Sequence, residues 1–274
     1  MDITLAFTIH DKEDTIESVL RSWLDTLSGK HTVEILACFD ACSDASYAIV
    51  EDWMAGYPWI SYRDFVTDDI YEIRCNNLML KHADGDLFLS CQDDNWQHTP
   101  HWDDALVTLM ENTPTVGAVG LLAGVRMKRD FSLDRIECYT PEKDAGGGWV
   151  HGIGPDTYPL GVYQVDVINR PFASRTDLLR SYSGLDEAYC PMDWDDADLS
   201  LKLLRDGYTN LYLPLNVLNT CGKKATLSEA QMSANYVHGE RIARQRWGKF
   251  VAERESSIRM LYPLRKGDDG RLSV

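Results

Sequence analysis

The segment DGDLFLSCQDDN, residues 84–95, changes abruptly from apolar to acidic. Its apolar part, DLFLSC at 86–91, is short and continuous, which is typical of a strand buried on both faces. Its polar part, QDDN at 92–95, follows with no spacer. The segment therefore predicts a buried strand that carries carboxylates at its carboxyl end.

Two earlier segments repeat this arrangement. ITLAFTI at 3–9 is followed by HDKED, and VEILACF at 33–39 is followed by DACSDAS. Between them, TIESVLRSWLDTL at 15–27 has its apolar residues at helical spacing. Further strands are predicted at 59–65 and 116–122, and further helices near 44–54, 72–83 and 102–112. This alternation predicts an α/β fold in which a mostly parallel sheet has helices on both faces. Ligands of such sheets bind beyond the carboxyl ends of the strands, where these polar clusters lie.

The second half of the chain is less regular. From 123 to 160 the periodicity weakens, and GGG at 146–148 is typical of a loop. The remaining predicted elements are a strand pair at 162–175, helices at 176–182, 195–207 and 227–252, and a strand at 209–215. We expect residues 1–215 to form the main domain and residues 216–274 to form a helical extension packed on it, with a frayed tail.

The composition excludes several classes of protein. Of the 274 residues, 27 are basic and 43 are acidic, so the net charge of −16 argues against binding to duplex nucleic acid or to an anionic membrane surface. No segment approaches the ~20 apolar residues of a membrane helix. The seven cysteines are odd in number and contain no C-x-x-C pair. We therefore expect free thiols and a cytoplasmic location.

The acidic segments have two possible interpretations. Adjacent carboxylates such as Asp93 and Asp94 repel each other, and a Mg²⁺ or Mn²⁺ ion that also binds a diphosphate would stabilise them. An ordinary acidic turn is the alternative. Likewise, Asp40 in DACSDAS could accept hydrogen bonds from a nucleobase or a ribose, or could belong to a simple turn.

A second acidic cluster lies in DWDDADLSLKL, residues 193–203. On a helix, Asp195 and Asp198 share a face with Lys202, and Asp196 lies about 100° away from Asp195. Acids in a first turn complement the helix dipole, but four acids are more than capping requires. One of them could act as a general base on a hydroxyl.

Three segments in this order resemble the family 2 glycosyltransferases that have the GT-A fold, a Rossmann-like α/β fold. DACSDAS is similar to that family's D-G-S-T-D-G-T loop. NNLMLKHADGDLFLSCQDDN resembles its segment that ends in D-x-D. GLDEAYCPMDWDDADLSLKLLRDGY at 184–208 resembles the segment that contains its E-D motif. The resemblance covers about residues 3–213.

The resemblance implies a role for each matching residue. Asp40 would contact the nucleoside, Asp94 would bind a Mn²⁺ or Mg²⁺ ion together with the sugar diphosphate, and Asp196 would be the catalytic base. The other residues expected to line the donor site are Thr8, His10, Asp11, Glu13, Asn77, Gln92 and Asp93. The implied activity is inverting transfer of a sugar from a nucleoside-diphosphate sugar to a hydroxyl of a glycan or small-molecule acceptor. Residues 1–215 would be the donor-binding and catalytic domain, and 123–160 would form an acceptor wall or a lid.

The chain departs from the family pattern at three places. Gln92 replaces the first aspartate of D-x-D, and Asp195 replaces the glutamate of E-D. Where many relatives carry a histidine ligand, this chain reads LNTCGKK, in which Asn219 is nearest and Lys223 and Lys224 could supply charge to the diphosphate.

Two other functions are compatible with parts of the pattern. A nucleotidyltransferase normally has a glycine-rich loop after the first strand, and TIHDKED has no glycine there. A non-catalytic nucleotide- or sugar-binding module of transferase descent is the second alternative. The presence of Asp196 argues against that module, and Gln92 leaves it open.

Overall fold

The structure is a computed structural model and describes residues 1–143, 149–152, 157–219, 227–256 and 258–273. The helices in these ranges are α1 (Ile16–Leu24), α2 (Ser46–Met54), α3 (Tyr71–His82), α4 (Trp102–Asn112), α5 (Thr176–Ser181), α6 (Asp195–Arg205) and α7 (Glu229–Glu253), with a 3-10 turn at Glu187–Tyr189. The strands of the first half are β1 (Ile3–Ile9), β2 (Val33–Asp40), β3 (Ser61–Thr67), β4 (Leu87–Gln92), β5 (Asn95–Gln97), β6 (Val116–Gly120), β7 (Gly124–Met127) and β8 (Leu133–Ile136). Those of the second half are β9 (Thr140–Lys143), β10 (Trp149–Gly152), β11 (Gly161–Val165), β12 (Val167–Ile168), β13 (Phe172–Arg175), β14 (Thr209–Tyr212), β15 (Val217–Asn219), β16 (Arg259–Pro263), β17 (Arg265–Lys266) and β18 (Leu272–Ser273).

The central sheet has the strand order β16-β11-β14-β6-β13-β4-β1-β2-β3. β1 is parallel to both β2 and β4, β2 is parallel to β3, and β14 is parallel to β6. Among the described strands of this sheet, β13 and β11 run opposite to the others. The prediction of a mostly parallel sheet in an α/β fold is therefore confirmed.

The two faces of the sheet are covered by separate apolar clusters. Alternate residues of a strand point to opposite faces, so in β1 Leu5 and Phe7 join one cluster and Ala6 joins the other. Helices α1, α2 and α4 supply the first cluster, in which the rings of Trp23 and Trp102 lie edge to face with centroids 5.2 Å apart. Helices α3, α5, α6 and α7 supply the second. The predicted helices on both faces are thus present.

The strand register brings the polar loops together. Thr8 of β1 pairs with Cys38 of β2 on one side and with Gln92 of β4 on the other. The loops that follow these three strands therefore begin at one level of the same sheet edge. This is the edge at which the sequence places HDKED, DACSDAS and QDDN.

Several elements differ from the sequence-based predictions. The third strand spans 61–67 rather than 59–65, and the tail that was expected to fray forms the hairpin β17–β18. The region after 215 holds strands as well as α7, because β16 pairs with the open edge of β11. The division of the chain at 215 stays a prediction. Among the described helices, none combines the length and apolar character needed to cross a membrane.

Candidate active site

The loops after β1 and β2 are bound to each other through three acidic side chains. The Ser43 backbone N–H donates to Asp11 Oδ1 at 2.7 Å, and that bond lowers the pKa of Asp11. The Ala45 N–H donates to Glu13 Oε2 at 3.1 Å, while the Glu13 N–H donates to Asp44 Oδ2 at 3.0 Å. Asp11 and Glu13 therefore hold the rim of the site together, and direct contact with a donor stays a prediction for both.

His10 and Lys12 connect the same rim to QDDN. The His10 backbone N–H donates to Asp93 Oδ2 at 2.8 Å, and Lys12 Nζ lies 3.4 Å from the same oxygen. The His10 ring Nδ1 lies 2.7 Å from the Asp40 carbonyl oxygen. Burial raises the pKa of Asp93 to about 6, and the Lys12 charge opposes the rise. Sequence reasoning missed Lys12, although it is the one cation in HDKED.

Asp40 is a buried carboxylate that is 5 % exposed. Its Oδ1 accepts hydrogen bonds from Thr67 Oγ1 at 2.9 Å and from the Ile70 N–H at 2.8 Å, and its Oδ2 accepts from the Tyr71 N–H at 2.8 Å. Asp40 thus fixes the loop between β3 and α3. The contact of Asp40 with a nucleoside stays a prediction. Such a contact would add to the three hydrogen bonds that Asp40 already accepts within the protein.

Asp94 lies at the tip of the loop and is oriented by two amides. Asn95 Nδ2 donates to Asp94 Oδ1 at 2.8 Å, and Asn219 Nδ2 donates to the same oxygen at 3.2 Å. Asn219 reaches this position because β15 pairs with β5, with Asn219 opposite Asn95. Burial raises the pKa of Asp94, and Lys12 opposes the rise. Lys223 and Lys224, which were expected to help the diphosphate, lie outside the described residues.

The donor set at Asp94 suits a metal ion that arrives with a diphosphate. In the part of the chain that the structure describes, no group of three or more His, Cys, Asp or Glu side chains is placed to hold a metal. Asp93 is used by His10 and Lys12, so Asp94 is the carboxylate best placed for an ion. Mg²⁺ and Mn²⁺ accept one protein carboxylate when phosphate oxygens and water complete their ligands. The residues at Asp94 therefore fit a metal ion whose other ligands would be phosphate oxygens and water.

Asp196 lies in the first turn of α6 and keeps partial contact with solvent. Asn169 Nδ2 donates to its Oδ2 at 3.3 Å, and the Ala197 N–H donates to its Oδ1 at 2.7 Å. Burial, followed by the neighbouring Asp195 carboxylate, raises the pKa of Asp196 to about 7, and the Arg170 guanidinium limits the rise. A carboxylate with this pKa can take a proton at neutral pH and can also release it.

The chain enters α6 through two strained residues. Asp193 and Trp194 have φ values of 74° and 68°, in the left-handed region that side chains other than glycine rarely adopt. Helix α7 covers this bend closely, because a Cβ on Gly239 would lie 2.9 Å from Trp194 Cδ1. Such strain persists only where the surroundings hold it, and it is often found next to functional residues.

Asp198 joins α6 to α7 and is fully buried. It accepts hydrogen bonds from Trp247 Nε1 at 2.8 Å and from Tyr189 Oη at 3.1 Å, and Lys202 Nζ lies 2.6 Å from its other oxygen. Asp198 is therefore a structural anchor. Asp198 and Lys202, which the sequence places on one helix face, form an ion pair.

Gln92 faces α3 rather than solvent beyond the strand end. Its Nε2 donates to Glu72 Oε1 at 3.1 Å, and the same carboxylate lies 3.4 Å from Arg170 Nε. Arg170 Nη2 in turn donates to Asp195 Oδ2. This series of contacts connects the QDDN loop with the start of α6. Sequence reasoning found Gln92 and Asp195 but missed Glu72 and Arg170.

Two further predicted donor-site residues make contacts within the protein. Asn77 Nδ2 donates to the Leu185 carbonyl at 2.8 Å, and Asn77 Oδ1 accepts from the Leu185 N–H at 2.8 Å. Thr8 Oγ1 lies 3.4 Å from Asn76 Nδ2. Asn77 therefore ties α3 to the segment before α6, and the donor contacts of both residues stay predictions.

The sequence and the fold were compared with known proteins. The model of Glycosyl transferase family 2 matches residues 5–161, more than half of the chain. No curated protein sequence matches. The mannosyltransferase PcManGT from Pyrobaculum calidifontis, solved with GDP-Man and Mn²⁺, superposes with a TM-score of 0.62 at 15% identity, over 93% of this chain and 65% of that one.

Two further structures have the same GT-A fold. GalNAc-T7, solved with UDP, GalNAc and Mn²⁺, superposes with a TM-score of 0.65 at 12% identity, over 89% of this chain and 48% of that one. S. aureus TarS 1-349 in complex with UDP-GlcNAc gives a TM-score of 0.54 at 13% identity, over 89% of this chain and 73% of that one. The chain thus spans about two thirds of the mannosyltransferase and about half of GalNAc-T7.

Proposed function

Since the chain belongs to glycosyl transferase family 2, we propose that it transfers a sugar, with inversion, from a nucleoside-diphosphate sugar to an acceptor hydroxyl. The acceptor would be a glycan or a small molecule. The observation that carries the proposal is Asp196, a partly exposed carboxylate with a pKa raised to about 7. It lies at the start of α6, which is connected through Arg170 and Glu72 to the QDDN loop.

The donor is proposed to bind across the carboxyl ends of β1, β2 and β4. The loop held by Asp40 would receive the nucleoside, and Asp94 would face the diphosphate. Lys12 lies beside Asp93 with its side chain 12% exposed, and it would add positive charge near the same phosphates. The relatives with bound GDP-Man and UDP-GlcNAc favour a nucleotide-sugar donor.

A divalent ion held by Asp94 and the diphosphate would neutralise the charge that the leaving group acquires. Two of the similar structures were solved with Mn²⁺, which favours Mn²⁺ or Mg²⁺ for this chain. Asn95 and Asn219 fix the orientation of the Asp94 carboxylate, so the ion would meet it without rearrangement.

Asp196 is proposed to accept the proton of the acceptor hydroxyl. The hydroxyl oxygen forms a bond to the anomeric carbon while the bond between that carbon and the diphosphate oxygen breaks. The electron pair of the breaking bond leaves with the nucleoside diphosphate. Attack from the face opposite the leaving group inverts the anomeric centre.

A thermal-shift panel of nucleotide sugars, each with and without Mn²⁺, tests the proposal together with an assay of donor hydrolysis and transfer. We expect one nucleotide sugar to raise the melting temperature in the presence of Mn²⁺ and to be consumed. Asp94→Asn should lose both effects, whereas Asp177→Asn, on a side chain that is 98% exposed, is the control for loss of one charge. Stabilisation without consumption by any donor and acceptor would favour a non-catalytic binding module instead.

A further inference from the structure

Arg170 is a buried cation between the two halves of the candidate site. It lies in the connection between β12 and β13, and its side chain is 9% exposed. Its guanidinium meets Glu72 from α3, with Nε 3.4 Å from Oε1, and Asp195 from α6. A buried charge is tolerated only when opposite charges and hydrogen bonds surround it, so Arg170 depends on both acids.

Gln92 completes this cluster from the sheet edge. Its amide donates to Glu72 Oε1 at 3.1 Å, the oxygen that faces Arg170. An aspartate at 92 would bring a second carboxylate toward Glu72, and two like charges at this depth would repel each other. Glutamine supplies a donor instead. The carboxylate of Glu72 therefore explains why glutamine suits position 92 better than the aspartate of the D-x-D motif.

Asp196 has both negatively and positively charged side chains around it. Asp195 on α6 and Asp193 in the preceding bend raise the pKa of Asp196, and Arg170 lowers it. Asn169, the residue before Arg170, donates a neutral hydrogen bond to Asp196 at 3.3 Å. Arg170 is thus the cation that offsets three neighbouring aspartates, and Glu72 competes with them for its charge.

We propose that Arg170 is the positioning residue that sets the protonation of Asp196, and that Glu72, oriented by Gln92, draws part of the Arg170 charge away from α6. Arg170 acts through Asp195 and through its field on Asp196, so it need not touch the donor or the acceptor. This inference rests on the role proposed above for Asp196 as the base. Without Arg170, Asp196 would stay protonated at neutral pH and could not accept a proton.

Arg170→Gln and Arg170→Lys test the inference with a readout that does not require activity. The pKa of Asp196 is measured by NMR on protein labelled at the aspartate carboxyl carbons, and its signal is assigned by its loss in Asp196→Asn. An opposite charge in contact lowers a carboxylate pKa by about 1–3 units. Arg170 contacts Asp195 rather than Asp196, so Arg170→Gln should raise the Asp196 pKa by an amount at the lower end of that range, about one unit. Arg170→Lys keeps the charge and should give a clearly smaller shift.

The pH dependence of transfer is the second readout. The acidic limb of the rate profile should move upward with the pKa, so transfer by Arg170→Gln at pH 7 should fall by roughly fivefold or more. Donor affinity should stay close to that of the wild type. Arg175→Gln is the matched control, because Arg175 lies on β13 and donates to backbone carbonyls of Val116 and Met110. It should not move the limb, even if it lowers stability.

Glu72→Gln keeps the inference testable if Arg170→Gln does not fold. Glu72→Gln removes the carboxylate that competes for the Arg170 charge, so more of that charge acts on α6. The pKa of Asp196 should therefore fall in Glu72→Gln, whereas it should rise in Arg170→Gln. An unchanged Asp196 pKa in Arg170→Gln, or a rise in Glu72→Gln, would overturn the inference. If the wild type transfers no sugar, the proposed function fails, and the NMR titrations still decide whether Arg170 controls Asp196.

Discussion

The Asp196→Asn variant should gain stability relative to the wild type as the pH rises from acidic to neutral and alkaline values. The pKa of Asp196 is raised from its usual 3.8 to about 7 in the folded chain, chiefly by burial. The folded state therefore holds this proton more tightly than the unfolded state does. Between these two pKa values, the free energy of unfolding of the wild type falls as the pH rises, and the loss is complete above about pH 7.

The size of the effect follows from the shift. Each pKa unit corresponds to about 1.4 kcal/mol, so a shift of about three units gives a ceiling of about 4 kcal/mol. Asp196 keeps partial contact with solvent, which screens its charge and should bring the measured value below this ceiling. Asparagine cannot ionise, so the variant is free of the pH-dependent loss that this group causes.

The assay is denaturant unfolding of both proteins from about pH 4 to pH 8, a window that covers nearly the whole interval between the two pKa values. The difference in unfolding free energy, variant minus wild type, should grow with pH by about 2–4 kcal/mol and level off near pH 7. A constant offset is expected from the altered hydrogen bond with Asn169 and does not affect the slope. A difference that is flat across this range, or that falls with pH, would refute the argument that Asp196 is a destabilised carboxylate.

Three further variants probe the rest of the site. Asp94→Asn should remove most activity and abolish nucleoside-diphosphate binding that depends on Mn²⁺. Calorimetry should show that Mn²⁺ alone binds weakly even to the wild type, because one carboxylate is a poor metal site without phosphate. Asp40→Ala should weaken nucleoside binding but keep the metal effect. It should also lower the free energy of unfolding by about 1 kcal/mol for each hydrogen bond lost from the part-buried N–H groups of Ile70 and Tyr71. Gly239→Ala should lower transfer more than donor affinity, because its new Cβ would press on Trp194, whereas Gly248→Ala on the same helix has open space and should be neutral.

Most of the fold could be predicted from local patterns. Continuous apolar runs such as ITLAFTI and DLFLSC each correspond to one buried strand, and the helix predicted at 15–27 corresponds to α1, which has one apolar face. The edge strand β16 was not predicted, because RMLYP is short and mixed and becomes a strand only by pairing with β11. Local periodicity carries no information about such distant pairing.

The candidate site was predicted in part for a similar reason. Acids at the ends of strands mark the sheet edge, so Asp40, Asp93 and Asp94 could be singled out from the sequence. Asp196 could be singled out because it belongs to an acidic cluster at the start of a predicted helix and matches the base position of the resembled family. Arg170 could not be singled out, because nothing in the local sequence NRPF indicates its contacts with Glu72 and Asp195, which are far away in the chain. Clusters built from several elements are visible only after folding has brought them together.

Donor affinity and transfer rate measured on the same preparation of Asp196→Asn test the central claim most directly. A base that acts only on the acceptor should matter little for donor binding. We therefore expect nucleotide-sugar affinity near that of the wild type and a fall in transfer of about 10²–10⁴-fold, the usual effect of losing one positioned base. Transfer at the wild-type rate would contradict the account, and loss of donor affinity in step with turnover would instead place Asp196 at the diphosphate.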